Sequence, residues 1–371
     1  MDSYLNLAEY VSENGVPKND RTGTGTKSAH AVTLRHNLLA GFPLLTTKRV
    51  SFKNILTEWK WMMMGMTDER FLQENGCTIW AEWADAEHCY RYNRVVGDLG
   101  PIYGHQWRNF GASKHPNAAE VFSHYKIGLD NWLATDEGLS IKDIENPGEY
   151  LDQVISGLDP SLTRPLLSNE HAGKYYYGYL KDGFDQIAWL LRELKTNPSS
   201  RRLIVSGWNP KEANEVALPP CHTLWQMHTA KGTGGLDDTL NISLHQRSAD
   251  TFLGLPYNIG FYAFTNHFFA MLLGMQVGEV HITGVDCHIY DNHKLQVETQ
   301  LERLPYNLPK LEWDPEYILL AKNTFKDLDA DTPLVEIGRK ITKLINSLNI
   351  GTDVYLVGYE SHPAIKADVA V

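Results

Sequence analysis

The sequence is short of cysteine, and the few it has stand apart. Cys77, Cys89, Cys221 and Cys287 form no C-x-x-C pair, which speaks against a zinc framework or a disulfide scaffold. Positive charge is also scarce. The chain has 34 Lys and Arg against 45 Asp and Glu, a formal net charge of -11. No excess of basic surface draws in nucleic acid, so no nucleic acid is expected to be required, although a local basic site can sit inside an acidic protein. Long apolar runs are missing too. The opening MDSYLNLAEYVSENG lacks a basic start followed by an apolar run, so no secretory signal is read. The most apolar stretch, IGFYAFTNHFFAMLLGM at 259–275, holds Asn266 and His267 and is too short and polar to span a membrane comfortably. A buried helix of a cytoplasmic protein with reduced cysteines is the expectation, with no membrane partner. The loop DRTGTGT at 20–26 lacks the lysine of a nucleotide-triphosphate loop.

What is present suffices for a large core: 371 residues, 43% of them hydrophobic, in one or two domains. Residues 3–13 read as a helix stopped by Gly15 and Pro17. AHAVTLRHNL at 29–38 reads as a strand, and a helix begins near Ser51 and runs through NILTEWKWMMMG. Within that helix Glu58 sits among apolar residues, where a carboxylate needs a partner or a task. A core salt bridge and a catalytic acid–base are both open. Trp80 and Trp83 are three apart and can share one side of a helical turn, as plain core or as part of a site. GDLGPIYGHQWRNFG at 97–111 reads as a structured loop. Residues 112–180 change in texture and carry no chemical motif, so they read as an insertion on the surface of one domain. An amphipathic helix follows at 184–195, then a strand in RRLIVSGW and strands at 223–230 and 238–250 about a GTGG turn. A long helix at about 259–275 precedes a strand, a turn and a helix across 282–303. Strands packed against helices are the expected architecture.

The chemistry-bearing residues centre on LPPCH at 218–222, where two prolines fix the backbone ahead of Cys221. Arg21, the adjacent Arg201 and Arg202, and Arg247 with Ser248 after it are available elsewhere. Converging guanidinium forks would suit a dianionic phosphate. A thiolate beside them would have a lowered pKa and act readily as a nucleophile. From these residues alone an inert buried thiol is the simpler reading. A Cys–His protease dyad has poor support, because neighbouring residues on a strand point to opposite faces. A metal site of Cys221, His222 and His228 would be equally improvised.

Together these segments resemble the thymidylate synthase family. The shared motifs are DRTGTGT (20–26), FPLLTTKR (42–49), TIWAEWAD (78–85), GDLGPIYGHQWR (97–108), NPSSRR (197–202), ALPPCH (217–222), QRSADTFLGLPYNI (246–259) and DCHIYDNH (286–293). They cover roughly 20–110 and 180–310, with the C-terminal tail. The resemblance implies an α+β fold, a large mixed β-sheet packed with helices, and a homodimer formed through the sheet. It implies one catalytic domain over 1–371 with a family-atypical insertion at about 112–180. The implied activity is methyl transfer in nucleotide biosynthesis, dUMP to dTMP, with 5,10-methylenetetrahydrofolate as cosubstrate and no metal.

Residue roles follow from the same resemblance. Cys221 would add covalently to carbon 6 of the pyrimidine, with Glu58, Tyr103 and Asn258 as the other catalytic groups. Arg21, Arg247 and Ser248 would hold the phosphate, and Arg201 and Arg202 would complete the phosphate site of the partner subunit. Asn258 would read O4 and N3 of uracil, and His288 and Tyr290 the sugar hydroxyl. Lys48, Trp80, Trp83, Leu218, Asp250 and the Val371 carboxylate would form the folate side. The sequence departs from familiar members at Gly260–Phe261, Ser51 and Asp368. Together with the insertion, the first of these keeps a relative in view that makes 5-hydroxymethyl-dUMP, with water in place of hydride.

Overall fold

A computed structural model describes residues 2–20, 22–92, 94, 96–112, 183–233 and 237–369. In chain order its elements are α1 (Asp2–Asn14), β1 (Val16–Lys18), β2 (Thr26–Asn37), α2 (Phe52–Met63), α3 (Arg70–Glu74), α4 (Ala86–Arg91) and α5 (Tyr103–Arg108). There follow α6 (Gln186–Thr196), β3 (Ile204–Ser206), β4 (His222–Ala230), β5 (Thr239–Gln246), β6 (Ala249–Asp250), α7 (Gly254–Leu273), β7 (Gln276–Tyr290) and α8 (Lys294–Leu301). The chain closes with β8 (Lys310–Trp313), α9 (Pro315–Thr324), α10 (Leu334–Ser347) and β9 (Val354–Val357). The insertion read at 112–180 lies, Ala112 apart, outside the described residues. The chain divides into two compact units. One comprises Met1–Trp59, Ala188–Ser206 and Cys221–Val371, the other Lys60–Ile187 and Gly207–Pro220.

The first unit is built on a seven-stranded mixed sheet in the order β1-β2-β7-β5-β4-β3, with β6 beside β7. Both β5 and β6 run parallel to β7, and the other pairs are antiparallel. Side-chain alternation makes these strands. In β5, Leu240, Ile242, Leu244 and Gln246 are buried, while Ser243 and His245 are exposed. In β7, Gly278, Val280, Ile282 and Gly284 take the buried positions. That period of two marks a sheet covered on one face.

The cover includes α7, which lies against β5 and β7. It is apolar on all sides, as a fully buried helix must be. It ends at Gly274, whose φ of 67° is the left-handed conformation that glycine adopts without strain. Its start is earlier than the expected 259. Asp250 Oδ1 accepts from Phe252 N at 3.0 Å and Leu253 N at 3.1 Å, which orders the turn leading into the helix. Pro256 falls in the first turn, where its missing N–H costs nothing. Asn258 therefore lies inside the helix. Trp59 on α2 is fully buried between Phe264 and Phe268, with ring centroids 4.7 Å away in both cases, and its Nε1 donates to Thr265 Oγ1 at 3.1 Å. On α10 the buried set Ile337, Ile341, Leu344 and Ile345 repeats at helical spacing, and β8 pairs with β9 in a separate antiparallel ribbon.

The second unit holds α3 to α5. The stretch 97–111, expected as a loop, contains the helix Tyr103–Arg108. Gly104 lies inside this helix. Its reason is close approach, since a Cβ there would stand 2.4 Å from the Met66 carbonyl oxygen. Arg108 makes two hydrogen bonds of 2.9 Å to the Asp185 carboxylate. Gln106 Nε2 donates to Glu212 Oε2 at 2.7 Å, and Asn209 Nδ2 donates to the same oxygen at 2.8 Å, which fastens the segment 207–220 to α5.

Trp59→Ala is expected to lower unfolding stability by about 3–5 kcal/mol through loss of packing and a residual cavity. Urea denaturation measures it, and a loss below about 1 kcal/mol would contradict the packing described.

Candidate active site

Strand pairing places Cys221, Arg247, Ser248, Asp250, His288 and Tyr290 at one end of the first unit's sheet. Cys221 immediately precedes β4, and its carbonyl oxygen accepts from Arg247 N at 2.9 Å. His222 pairs with Gln246 across β4 and β5. Ser248 then leads into β6, where Asp250 stands opposite His288 of β7. On the other side of β7, Ser28 pairs with His288 and Thr26 with Tyr290. The neighbours Cys221 and His222 differ in burial, the thiol half-buried and the imidazole buried, in keeping with alternation at the start of a strand.

His288 is held by a carboxylate that sequence reasoning did not single out. Its Nδ1 lies 3.4 Å from Asp286 Oδ1, and its ring meets Tyr290 edge-on with centroids 5.0 Å apart. Asp286 also accepts from Ser28 Oγ at 2.7 Å and pairs with Lys18. The bond to His288, with Lys18 and Ser28 adding to it, outweighs burial and holds the Asp286 carboxyl far below the usual range. Burial lowers the His288 pKa, but the Asp286 contacts and the nearby Asp250 charge outweigh it and leave the pKa raised. Alternation on β7 was the available signal, because positions 286 and 288 share a face.

A second polar chain runs from β4 into α7. His222 Nδ1 is 3.0 Å from the Tyr262 hydroxyl, and His222 also makes a side-chain hydrogen bond with Asn258. Phe261 is buried beside them, its ring centroid 6.5 Å from that of His222. A Cβ at Gly260 would come within 2.7 Å of Ile55 Cδ1. The Gly260–Phe261 departure thus sets the absence of one side chain beside the presence of a large one.

Glu58 is buried on α2. Ser51 caps that helix, its Oγ accepting from Asn54 N at 3.2 Å. Arg201 and Arg202 are exposed, and among the described residues neither forms an ion pair. Lys48 is buried, donating to the Phe252 carbonyl, with Nζ 3.4 Å from the Phe252 ring centroid. Burial lowers its pKa to about 7, with Asp250 opposing. The tail lies along the loop that carries Lys48. Tyr359 Oη donates to Leu45 O at 2.8 Å, His362 N to Thr46 O at 2.8 Å, and His293 Nε2 to Asp368 O at 2.7 Å. Arg21 and Val371 lie outside the described residues.

In the second unit, Trp80 packs against Trp61 at 5.8 Å and Tyr103 at 6.1 Å between ring centroids. Trp80 caps a short 3-10 turn that includes Trp83, so one turn carries both indoles. Leu218 is half-buried in the segment fastened to α5. Among the described residues no group of three or more His, Cys, Asp and Glu is arranged to hold a metal, and no helix is long and apolar enough to cross a membrane.

The thymidylate synthase family model matches residues 2–371. The chain belongs to the thymidylate synthase family. A thymidylate synthase of Coxiella burnetii (strain Dugway 5J108-111) is 36% identical over 371 residues, spanning 100% of both chains. The large mixed sheet packed with helices is the architecture expected of the family.

Burial lowers the His222 pKa to about 4, with Asn258 opposing, and burial alone lowers that of His267 to about 4. In the unfolded chain both titrate near ~6.5. Unfolding therefore takes up protons between those values, and stability present above ~6.5 is lost as pH falls toward 4. Each ring contributes up to about 3 kcal/mol to that loss. Asp286 stays charged in the folded state across the window and adds slope only toward pH 4, where the unfolded carboxyl begins to take up a proton. Urea midpoints are expected to fall from about pH 7.5 to about pH 4.5, and His267→Leu to make the fall shallower. Parallel pH profiles for the two proteins would refute the assignment to His267.

Proposed function

We propose that this chain converts dUMP to dTMP by reductive methylation, acting on the pyrimidine through Cys221. The observation that carries the reading is the family match along residues 2–371. The clustering of Cys221, Arg247 and Asn258 at one sheet end supports it further. The Cys221 thiolate adds to carbon 6 of the ring, which makes carbon 5 a nucleophile and divides a difficult substitution into easier steps. 5,10-Methylenetetrahydrofolate supplies the one-carbon unit and then the hydride, leaving as dihydrofolate. Tyr103 assists loss of the carbon 5 proton, and Glu58 organises the proton transfers. Return of the sulfur electrons to Cys221 frees dTMP.

Arg21, Arg247 and Ser248 hold the phosphate of dUMP, and His288 and Tyr290 bind the sugar hydroxyl. Asn258 donates to O4 and accepts from N3–H, which selects uracil. Trp80, Trp83, Leu218, Asp250 and the Val371 carboxylate serve the folate, and tail closure excludes water from the reacting carbon. Lys48 serves the folate tail by exchanging its Phe252 contact for a carboxylate. The protein works as a homodimer in the cytoplasm. Exposed Leu224, Ser243 and His245 on the uncovered sheet face support pairing there, and exposed Arg201 and Arg202 support service to the partner's phosphate site.

Incubation with dUMP and methylenetetrahydrofolate is expected to yield dTMP and dihydrofolate, followed by absorbance and nucleotide mass. Formation of 5-hydroxymethyl-dUMP with tetrahydrofolate would overturn the reading. Cys221→Ser is expected to lose the covalent adduct and fall by at least about a thousandfold in kcat. Mixed dimers of Cys221→Ser with Arg201→Ala subunits are expected to regain part of the activity, because one of the two sites then has both groups intact. Verified mixed dimers without activity would count against arginine sharing.

A further inference from the structure

Asn258 and Tyr262 are four residues apart on α7 and so share one face of the helix. Both reach His222, the residue after Cys221. An imidazole joined on two sides has only two neutral arrangements. In one, Tyr262 donates to Nδ1 and Nε2–H donates to the Asn258 carbonyl. In the other, every donor and acceptor is reversed, and the Asn258 amide is turned over.

The two arrangements present opposite faces to a pyrimidine. With its carbonyl held by His222, Asn258 directs its NH2 outward, and the second lone pair of Oδ1 can still accept. That face suits uracil, which offers O4 as acceptor and N3–H as donor. The reversed amide suits cytosine, whose exocyclic amine donates and whose N3 accepts. A phenol is the stronger donor and an imidazole nitrogen the stronger acceptor, so the first arrangement is favoured. Asn258 hydrogen-bonds the His222 side chain and raises its pKa against the larger effect of burial. Burial keeps the ring neutral, which prevents it from donating on both sides.

We propose that Tyr262 is a positioning residue for base selection: its hydroxyl fixes the His222 tautomer, and His222 fixes the Asn258 amide in the orientation that accepts uracil. The proposal rests on Asn258 reading the base. Tyr262 and His222 touch neither the reacting carbon nor the sulfur in this scheme. Their effect is on which pyrimidine is held.

Removing the hydroxyl with Tyr262→Phe leaves the ring in place and releases the tautomer. The ratio of dCMP to dUMP dissociation constants, measured by equilibrium binding to the full-length dimer, is expected to fall by roughly tenfold. KM for dUMP is expected to rise more than kcat falls. A ratio within about twofold of the parent in a folded variant would overturn the proposal. Nitrogen NMR of the His222 ring in the unaltered protein gives an answer independent of the variant's folding. Nε2–H with a hydrogen-bonded Nδ1 is expected, and Nδ1–H or an imidazolium would overturn the proposal. Asn258→Asp separates the two levels. If it leaves the dUMP preference intact, Asn258 does not read the base and the underlying reading fails. If it shifts preference toward dCMP while Tyr262→Phe does not, only the Tyr262 relay fails.

Discussion

The register of β7 is the constraint on which the first unit depends. This fifteen-residue strand is bonded to β2 on one side and to β5 and β6 on the other. Its pairing sets Ser28 and Asp250 opposite His288, and Gly284 opposite Gln246 beside the Cys221 turn. A slip of one residue would turn Asp286 and His288 to the other face and Cys287 toward their place. Register here is strongly specified because one face is buried: Val280, Ile282 and Gly284 cannot exchange places with Glu279, His281 and Thr283 without exposing the core. Gly284 tightens this, since a Cβ there would lie 2.3 Å from Cys287 Sγ. The alternation changes phase after Gly284, where Val285 and Asp286 are both half-buried ahead of buried Cys287, and this shift aims Asp286 and His288.

The helix above the sheet adds a second restriction. Helix α7 is apolar on every side, yet it carries Asn258, Tyr262, Thr265 and Asn266. A polar group buried without a partner costs on the order of 1–3 kcal/mol. Asn266 Nδ2 donates to Leu240 O at 2.8 Å, Thr265 receives Trp59, and Tyr262 and Asn258 meet at His222. These bonds fix the helix's rotation and height on the sheet more sharply than dispersion contacts between interchangeable apolar side chains could.

Much of this arrangement is legible in the sequence, and the limits have physical causes. Strands β4, β5 and β7 are readable because half their residues alternate between core and solvent. Helix α2 is readable from its apolar run and its capping Ser51. The start of α7 and the whole of α5 are not, because glycine and proline signal turns locally while here they serve close packing at Gly104 and a first helical turn at Pro256. Cys221 is read as a nucleophile only through the ordered set of motifs around it, since an isolated cysteine after two prolines carries no chemistry of its own. Asp286 was within reach of a period-two reading of DCHIY, and Tyr262 of an i, i+4 reading from Asn258. His222 was not, since its partners are far away in sequence and only the fold brings them to it.

His222 also links stability to the proposed selectivity. A solvent-exposed imidazole titrates near ~6.5 and would be partly charged close to neutrality. A charged ring donates from both nitrogens, so it would no longer accept from Tyr262 and would lose the coupling between that hydroxyl and the Asn258 amide. Burial removes this failure by holding the pKa at about 4. It does so by making protonation unfavourable in the folded state, and the same free-energy difference appears as acid sensitivity of the fold. A lone imidazole set against a carboxylate, as His288 is against Asp286, would resist acid better but would be drawn toward the charged form. The sheet end therefore holds two histidines in opposite electrostatic settings: His288 beside Asp286, where charge is favoured, and His222 between a phenol and an amide, where neutrality is the condition for the proposed reading of a neutral base.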